Sequence, residues 1–380
     1  MNIDFAVLPA IIVAASLTVT VLALRSLRNF RNANTSQNPR EIKRAALSLL
    51  ALCGLAIAAS TGINALIAAH FRAPSTAPGA FYTVNGLRMH IDCTGQGEPT
   101  VILDAGLGDD SLIWGKVQPE LSKTTRVCSY DRAGFGWSQP GPNPQDADRI
   151  AQQLHGLLQQ ADIRGPIVLM GHSIAGMYIR DYASRYPEDV AGLIFVDAST
   201  PLQEHHGSRP FQSLQGQKHR AHLLFLRITD VLGLSRLRGY CSILTEGFPE
   251  PADRLLAEHR CNEPFTAIDQ ELENFTPSGQ ETIHTGPYGD LPILIFSQDP
   301  NHPPRGLSGA MAAEFSGDWN RMQEDLKRLS TRCVRIIATG SGHAIMFDRP
   351  DLLNREVPRF IHQIRTPASA PKDNGSTTIE

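Results

Sequence analysis

A serine within a run of small residues is the first candidate for chemistry in this 380-residue chain. The stretch GHSIAG (171–176) places Ser173 directly after the apolar segment IVLM (167–170). Small residues at such a point let a strand turn sharply into a helix and lift the serine above the sheet, and the helix N-terminus then favours developing negative charge. The stretch departs from the common G-x-S-x-G pattern, because Ala175 precedes Gly176. We interpret Ser173 as a candidate nucleophile.

A serine nucleophile needs a base, and the base needs an orienting carboxylate. The apolar run PILIFSQD ends at Asp299, and His343 lies in a Gly-rich stretch after the last apolar run. Both residues follow the ends of predicted parallel strands, so we expect them on the same rim of the sheet as Ser173. We predict that His343 is the base and Asp299 the orienting acid. The alternative acid is Asp197, at the end of the preceding predicted strand.

Short apolar runs alternate with helical stretches after residue 80, which predicts an α/β fold with a mostly parallel, eight-stranded sheet and helices on both faces. The predicted strands span 81–84, 87–92, 100–104, 126–130, 167–170, 193–197, 293–297 and 334–338. Residues 200–289 contain no convincing buried strand and are predicted to form a helical lid over the carboxyl ends of the strands. The core is therefore assigned to 81–199 and 290–365, and the polar tail 366–380 is predicted to be disordered.

Two long apolar runs in the first 72 residues predict a pair of transmembrane helices, at about 3–24 and 45–69. At about 1.5 Å per residue, each exceeds a hydrocarbon core of roughly 30 Å. The loop between them, 25–44, carries six basic residues and one acidic residue. Such a loop stays cytoplasmic, so the large domain, joined through a linker at 73–80, is expected on the extracytoplasmic (periplasmic-side) face. Cleavage after the second run is the alternative.

Five motifs occur in the order found in the α/β-hydrolase fold family, which the chain from about 81 to 364 resembles. They are LDAGLG (103–108), YDRAGFGWS (130–138), GHSIAG, SQD (297–299) and GSGH (340–343). The resemblance implies Ser173 as nucleophile, His343 as general base and acid, and Asp299 as the orienting acid. A serine at the turn disfavours the epoxide hydrolase and dehalogenase relatives, which place Asp there. YDRAGFGWS is interpreted as architectural, with Asp131 and Arg132 making polar contacts near the pocket.

The resemblance also implies an oxyanion hole made of two backbone N–H groups. One belongs to Ile174, the residue after the nucleophile, and the other to Leu107. In the loop after the third predicted strand, which carries Leu107, the usual His-Gly pair of the family is replaced by Ala105 and Gly106. Because the donors are backbone groups, this replacement does not remove the predicted hole.

Cysteines fit an oxidising compartment without fixing any pairing. Cys53 lies in the second apolar run, and five more follow it: Cys93, Cys128, Cys241, Cys261 and Cys333. An odd number leaves at least one unpaired within the chain. In the proposed fold Cys93 and Cys128 lie on neighbouring strands and are the first candidate pair, Cys241 and Cys261 are the second, and buried free thiols are the alternative.

These features together predict a membrane-anchored serine hydrolase that cleaves a carboxylic ester or related acyl bond of a small molecule. A prolyl-type aminopeptidase, a carbon–carbon hydrolase and an acyltransferase are alternatives on the same triad, and a catalytically inactive, membrane-anchored binding module is an alternative of another class. No H-E-x-x-H motif or Cys/His cluster has metal-ligand spacing, so neither metal nor cofactor is expected. The net charge of −3, without a basic stripe, indicates no nucleic acid partner.

Overall fold

Two long apolar helices precede the α/β part of the chain. The computed structural model describes residues 8–31, 39–201, 203, 217–239, 241, 252–261, 264–303, 309–366 and 376–379. Helices α1 (Leu8–Arg31) and α2 (Pro39–Phe71) pack against each other and contain stretches of 20 and 29 residues long and apolar enough to cross a bilayer. Only 11% and 22% of their most apolar windows are buried, so they are not core helices; membrane anchors and signal sequences share this property.

A nine-stranded sheet in the order β1-β2-β4-β3-β5-β6-β7-β8-β9 forms the centre of the molecule. Strands β1, β2 and β4 pair antiparallel, and every other pair is parallel. The strands are β1 (Ala80–Val84), β2 (Leu87–Thr94), β3 (Thr100–Asp104), β4 (Val127–Tyr130), β5 (Ile167–His172), β6 (Val190–Val196), β7 (Ile293–Gln298), β8 (Cys333–Ala338) and β9 (Ser376–Ile379). The predicted fold class and its eight strands are confirmed.

The ninth strand corrects one prediction. Residues 376–379 lie within the predicted disordered tail, 366–380, yet they pair in parallel with β8. The segment is rich in β-branched residues, which favour a strand: Thr377, Thr378 and Ile379. The edge of β8 would otherwise have unpaired backbone groups, and these pair with the segment. Residues 367–375 and 380 lie outside the described residues.

Both faces of the sheet are covered, because successive side chains of the central strands enter two different cores. Leu169 and Phe195 pack on one face, and Met170 and Val196 on the other. The covering helices are α3 (Gln118–Leu121), α4 (Ala147–Gln160), α5 (Ala175–Arg185), α11 (Gly309–Asp325), α12 (Ile345–Asp348) and α13 (Pro350–Arg365). This packing leaves the carboxyl ends of the strands as the rim on which a site can form.

The described residues between 200 and 289 form five helices and no strand, in agreement with a helical insertion. They are α6 (Gln217–Val231), α7 (Leu234–Leu237), α8 (Ala252–Arg260), α9 (Phe265–Glu273) and α10 (Phe275–Thr282). Residues 202, 204–216, 240, 242–251 and 262–263 of the predicted lid lie outside the described part of the chain.

Two disulfides join the cysteines that sequence reasoning had ranked first and second. Cys93 and Cys128 face each other across β2 and β4, and Cys241 is bonded to Cys261, the residue that follows α8. Cys53 and Cys333 are free thiols, the first exposed and the second buried.

Candidate active site

Ser173 stands at a sharp turn between β5 and α5. Its backbone has a φ of 53°, in the left-handed region that a side chain rarely adopts. The turn is held to the neighbouring strand, because the N–H of Ser173 donates to the carbonyl of Val196 at 3.2 Å and its carbonyl accepts from the N–H of Ser199 at 2.7 Å. A strained backbone fixed in this way presents its side chain in one orientation.

The small residues around Ser173 make the turn possible. A Cβ added to Gly176 would lie 2.5 Å from the Cβ of Ala198, so this close approach to the end of β6 requires glycine. A Cβ added to Gly171 would lie 2.9 Å from the carbonyl oxygen of Ala175. Because Gly171 leaves that space empty, the buried methyl of Ala175 fits where other sequences have glycine.

Ser173, His343 and Asp197 form one hydrogen-bonded chain. The Oγ of Ser173 lies 3.0 Å from Nε2 of His343, and Nδ1 of His343 lies 2.6 Å from Oδ2 of Asp197. The other oxygen of the fully buried Asp197 accepts from the N–H of Gln298 and from Nε1 of Trp319, both at 2.8 Å. A carboxylate fixed on two sides keeps the proton of His343 on Nδ1, which leaves Nε2 free to accept the serine proton.

The prediction that Asp299 orients His343 is not met by the geometry. The oxygens of Asp299 accept from the N–H groups of Asn301 and Gly340, each at 2.8 Å, and its own N–H donates to the carbonyl of Ser341. Burial opposes ionisation, but these N–H donors lower the pKa of Asp299 below its ordinary value. Asp299 thus fixes the loop that carries His343, and the carboxylate at the histidine belongs to Asp197 on the neighbouring strand.

The predicted oxyanion hole consists of two backbone N–H groups, which have no partner in the described structure. The N–H of Ile174 and the N–H of Leu107 donate to no group within the described part of the chain. The loop of Leu107 approaches the serine turn closely, because a Cβ on Gly106 would lie 2.5 Å from Nδ1 of His172. The two unengaged N–H groups thus belong to two segments of the chain that meet at Gly106 and His172.

A buried ionic network around Arg132 connects the Leu107 loop to the end of β3 and to the lid. Arg132 donates through Nη1 to Asp104 and to the carbonyl of Ala105, each at 2.7 Å, and through Nη2 to the carbonyl of Gly106 at 2.7 Å. Nε of Arg132 donates to Glu271 of α9 at 2.6 Å. The network confirms polar contacts of Arg132 near the site.

The carboxylate of Glu271 joins the lid to the same loop. Its second oxygen accepts from the N–H of Gly108, next to Leu107, at 3.0 Å. Burial raises the pKa of Glu271 and of Asp104, and the adjacent Arg132 guanidinium opposes that rise. All three side chains are buried, so removing any one charge leaves the others without a full set of partners.

His172 is a buried ring that lies against His343. Its Nε2 donates to the carbonyl of His343 at 3.1 Å, and the two ring centroids are 4.7 Å apart. Burial, followed by the proximity of His343, lowers the pKa of His172 well below its ordinary value. Nδ1 of His172 is buried and has no hydrogen-bond partner among the described residues.

Sequence reasoning named Asp197 only as the alternative acid and missed Glu271 and Trp319. Asp197 and Asp299 both end a buried strand, so the pattern alone does not rank them. Glu271 is one of several acidic residues in an amphipathic lid segment, and no local signal marks it. Among the described residues, no group of three His, Cys, Asp or Glu side chains is arranged to hold a metal ion.

Comparisons with known proteins bear on the family and the fold of the chain. Residues 101–356 match the model of the alpha/beta hydrolase family. An uncharacterised protein of Schizosaccharomyces pombe is 30% identical over 323 residues, which are 76% of this chain and 56% of that protein. A probable transporter of Hormonema carpetanum is 38% identical over 292 residues, which are 70% of this chain and 40% of that protein. The chain thus spans about half the length of these two relatives.

Solved structures share the fold at low sequence identity. The crystal structure of a membrane phospholipase A, a bacterial virulence factor, has a TM-score of 0.53 and 20% identity, and the match covers 87% of this chain and all of that one. An enol-lactonase, a thermophilic esterase and an epoxide hydrolase have TM-scores of 0.51, 0.51 and 0.55. With this sheet, this turn and a family match over 101–356, the chain belongs to the alpha/beta hydrolase family.

Proposed function

We propose that this protein is a membrane-anchored serine hydrolase that cleaves a carboxylic ester or a related acyl bond. The observation that carries the proposal is the chain of hydrogen bonds from Ser173 through His343 to Asp197. Asp197 replaces Asp299 as the orienting acid in this proposal, because Asp197 accepts from Nδ1 of His343 whereas Asp299 accepts from two loop N–H groups. Two unengaged N–H groups beside the serine support an acyl rather than an alkyl substrate, since an acyl carbonyl develops negative charge on oxygen.

In the proposed reaction, Oγ of Ser173 attacks the carbonyl carbon while Nε2 of His343 takes the hydroxyl proton. The tetrahedral oxyanion accepts from the N–H groups of Ile174 and Leu107, each worth roughly 3 kcal/mol in the transition state. His343 then gives its proton to the leaving alkoxide, the carbon–oxygen bond breaks, and the acyl-enzyme remains. A water molecule, deprotonated by the same Nε2, releases the acid and regenerates the serine hydroxyl.

The membrane part of the proposal is supported by α1 and α2. Their exposed leucines, such as Leu22 and Leu52, would face water if the helices did not lie in a bilayer. A membrane phospholipase is among the proteins with this fold, and its match extends over more of this chain than those of the enol-lactonase, the esterase and the epoxide hydrolase. The proposed placement has α1 and α2 as anchors and the hydrolase core outside the cytoplasm.

Labelling with a fluorophosphonate probe tests the proposal, because the probe modifies only an activated serine. The detergent-solubilised wild type should be labelled, Ser173→Ala and His343→Ala should not, and the control Ser122→Ala, remote from the site, should be labelled as the wild type is. Labelling that persists in Ser173→Ala would place the nucleophile elsewhere. A folded wild type that stays unlabelled would favour the inactive binding module.

A further inference from the structure

The second apolar helix is hydrogen-bonded to the lid within its candidate membrane span. Oγ of Ser60 donates to the carbonyl of Leu232 at 2.6 Å, and Nδ2 of Asn64 donates to the carbonyl of Asp230 at 2.8 Å. Nε of Arg236 donates to Oδ1 of Asn64 at 3.1 Å. These contacts fix the connection between α6 and α7 to the side of α2.

The length of α2 sets the depth of these contacts in a bilayer. A hydrocarbon core of roughly 30 Å takes about 20 residues of helix. If the core begins at Lys43, where the candidate span begins, its far boundary falls near Asn64. If the core instead ends at Phe71, Asn64 lies about 10 Å inside it. Either placement brings the lid segment bonded to Asn64 to the bilayer surface or below it.

The lid helices at this level expose large apolar side chains. Leu224, Phe225 and Ile228 of α6 are 46%, 56% and 40% exposed, and Leu237 of α7 is 75% exposed. The three residues of α6 have the i, i+1, i+4 spacing of one helix face. Arg227 of the same helix forms an ion pair with Asp269 of α9 and so connects α6 to the rest of the lid.

The surface continues onto α2 itself. Ser60 and Asn64 face the lid, whereas Ile63 and Leu66 of the same turns are exposed. A surface made of helix side chains this apolar, continuous with a membrane span, matches lipid better than it matches water. Helices with such a face lie about 5–10 Å deep at the boundary between headgroups and acyl chains.

We propose that α6 and α7 form a second membrane contact, with Leu224, Phe225, Ile228 and Leu237 in the outer acyl boundary of the bilayer. This inference rests on the proposed membrane insertion of α1 and α2. It also narrows the proposed substrate to lipid-like acyl esters dissolved in the bilayer. The lid reaches the site through α9, where Asp269 pairs with Arg227 and Glu271 holds the N–H of Gly108.

Depth-dependent fluorescence quenching of the full chain in phosphatidylcholine vesicles tests the contact. Cys53 is exposed in α2, Cys333 is buried and the other cysteines are paired, so an NBD label on the natural chain reports α2. In a Cys53→Ser background, Phe225→Cys reports α6, and Gln160→Cys, at the exposed end of α4, is the matched control. Lipids with a nitroxide at acyl carbon 5 should quench positions 53 and 225 at least twofold and leave 160 unchanged.

Each other outcome overturns the inference in a distinguishable way. Quenching at 53 without quenching at 225 would show that α2 inserts and the lid does not. A label at 225 that is shielded from water but not quenched by lipid would indicate a protein partner, such as a second copy. No quenching at 53 would refute the membrane insertion on which the inference rests.

An activity measurement separates the substrate class from the proposed chemistry. The double variant Phe225→Ser/Ile228→Ser should lower hydrolysis of a long-chain ester dissolved in vesicles by tenfold or more. The same variant should hydrolyse a short, water-soluble ester at the wild-type rate, and Ser173→Ala should hydrolyse neither. An equal loss of activity on both esters would overturn the inference that the substrate comes from the bilayer. A wild type that is inactive on both esters would instead refute the proposed function.

Discussion

His343 is held from three directions at the rim of the sheet. Its Nδ1 donates to Asp197, its carbonyl accepts from His172, and its ring is nearly perpendicular to that of Trp319, with a centroid distance of 5.4 Å and an angle of 87°. Trp319 also donates to Asp197, so it positions the acid as well as the histidine. Such fixed partners reduce the reorganisation that proton transfer would otherwise require.

The choice between the two aspartates is testable by single substitutions. Asp197→Asn should lower kcat about a thousandfold or more, because an amide no longer stabilises the imidazolium or its tautomer. Asp299→Asn keeps an oxygen acceptor for one loop N–H and should cost less than tenfold. Ester hydrolysis by the two purified variants, with KM determined separately, measures the difference. A larger loss in Asp299→Asn than in Asp197→Asn would restore Asp299 as the acid.

His172 should make stability depend on pH in one direction. Its pKa in the folded chain lies well below the ordinary 6.5, so below that pH the unfolded chain binds a proton that the folded chain excludes. The contribution of His172 to the free energy of unfolding is therefore fully present above pH 6.5 and is lost as the pH falls below it. Each unit of difference between the two pKa values corresponds to about 1.4 kcal/mol.

The variant His172→Gln isolates this contribution, because glutamine keeps an N–H donor in its side chain and does not titrate. Thermal unfolding of both proteins between pH 7.5 and 5 measures the effect. The wild type should lose more Tm on acidification than the variant. Equal losses would mean that His172 is protonated in the folded chain or is not buried as described.

At the scale of elements, the Leu107 loop depends on the lid. Glu271 of α9 accepts from Gly108 and pairs with Arg132, which in turn binds two carbonyls of the loop. The lid therefore positions one of the two proposed oxyanion donors. A lid movement that carried Glu271 away would release the N–H of Gly108 and leave Arg132 with Asp104 and the two carbonyls of the loop.

Glu271→Gln tests this coupling. The amide can still accept from Gly108 but no longer neutralises Arg132, and breaking a buried pair typically costs about 3–5 kcal/mol. We expect kcat to fall tenfold or more with little change in KM, because the ground state makes weaker use of the oxyanion donors than the transition state does. Asp269→Asn, on the same helix but in a half-exposed pair, is the control and should keep kcat within twofold. A fall in Tm with unchanged kcat would make Glu271 structural only.

The elements themselves were largely predictable, since buried parallel strands are short apolar runs with clear ends. The predicted 100–104 and the observed β3 coincide, and β6 begins three residues before the predicted 193. Strand β9 was missed because a polar Ser-Thr-Thr-Ile stretch becomes a strand only when an edge is available. Partners set by three-dimensional proximity, such as Asp197 for His343 and Glu271 for Arg132, leave no periodic trace in the sequence.

At the scale of the whole molecule, the charge pattern and the disulfides both support the proposed placement of the core outside the cytoplasm. The six basic residues of the predicted loop 25–44 lie in the last turns of α1 and the first turns of α2, which favours this end of the helix pair on the cytoplasmic side. The two disulfides lie in the α/β domain and its lid, and such bonds persist outside the cytoplasm. Two independent properties of the chain thus support the core on the outer side.

Thiol accessibility in intact cells measures this topology. In a Cys53→Ser background, Gln160→Cys should react with a membrane-impermeant maleimide, because the end of α4 is exposed on the core. Ser36→Cys, between α1 and α2 in the sequence, should react only after permeabilisation. The buried Cys333 and the paired cysteines supply no background reaction. The reverse pattern would place the core in the cytoplasm, where the reducing environment would open the Cys93–Cys128 bond across β2 and β4; the topology and the state of that disulfide must therefore change together.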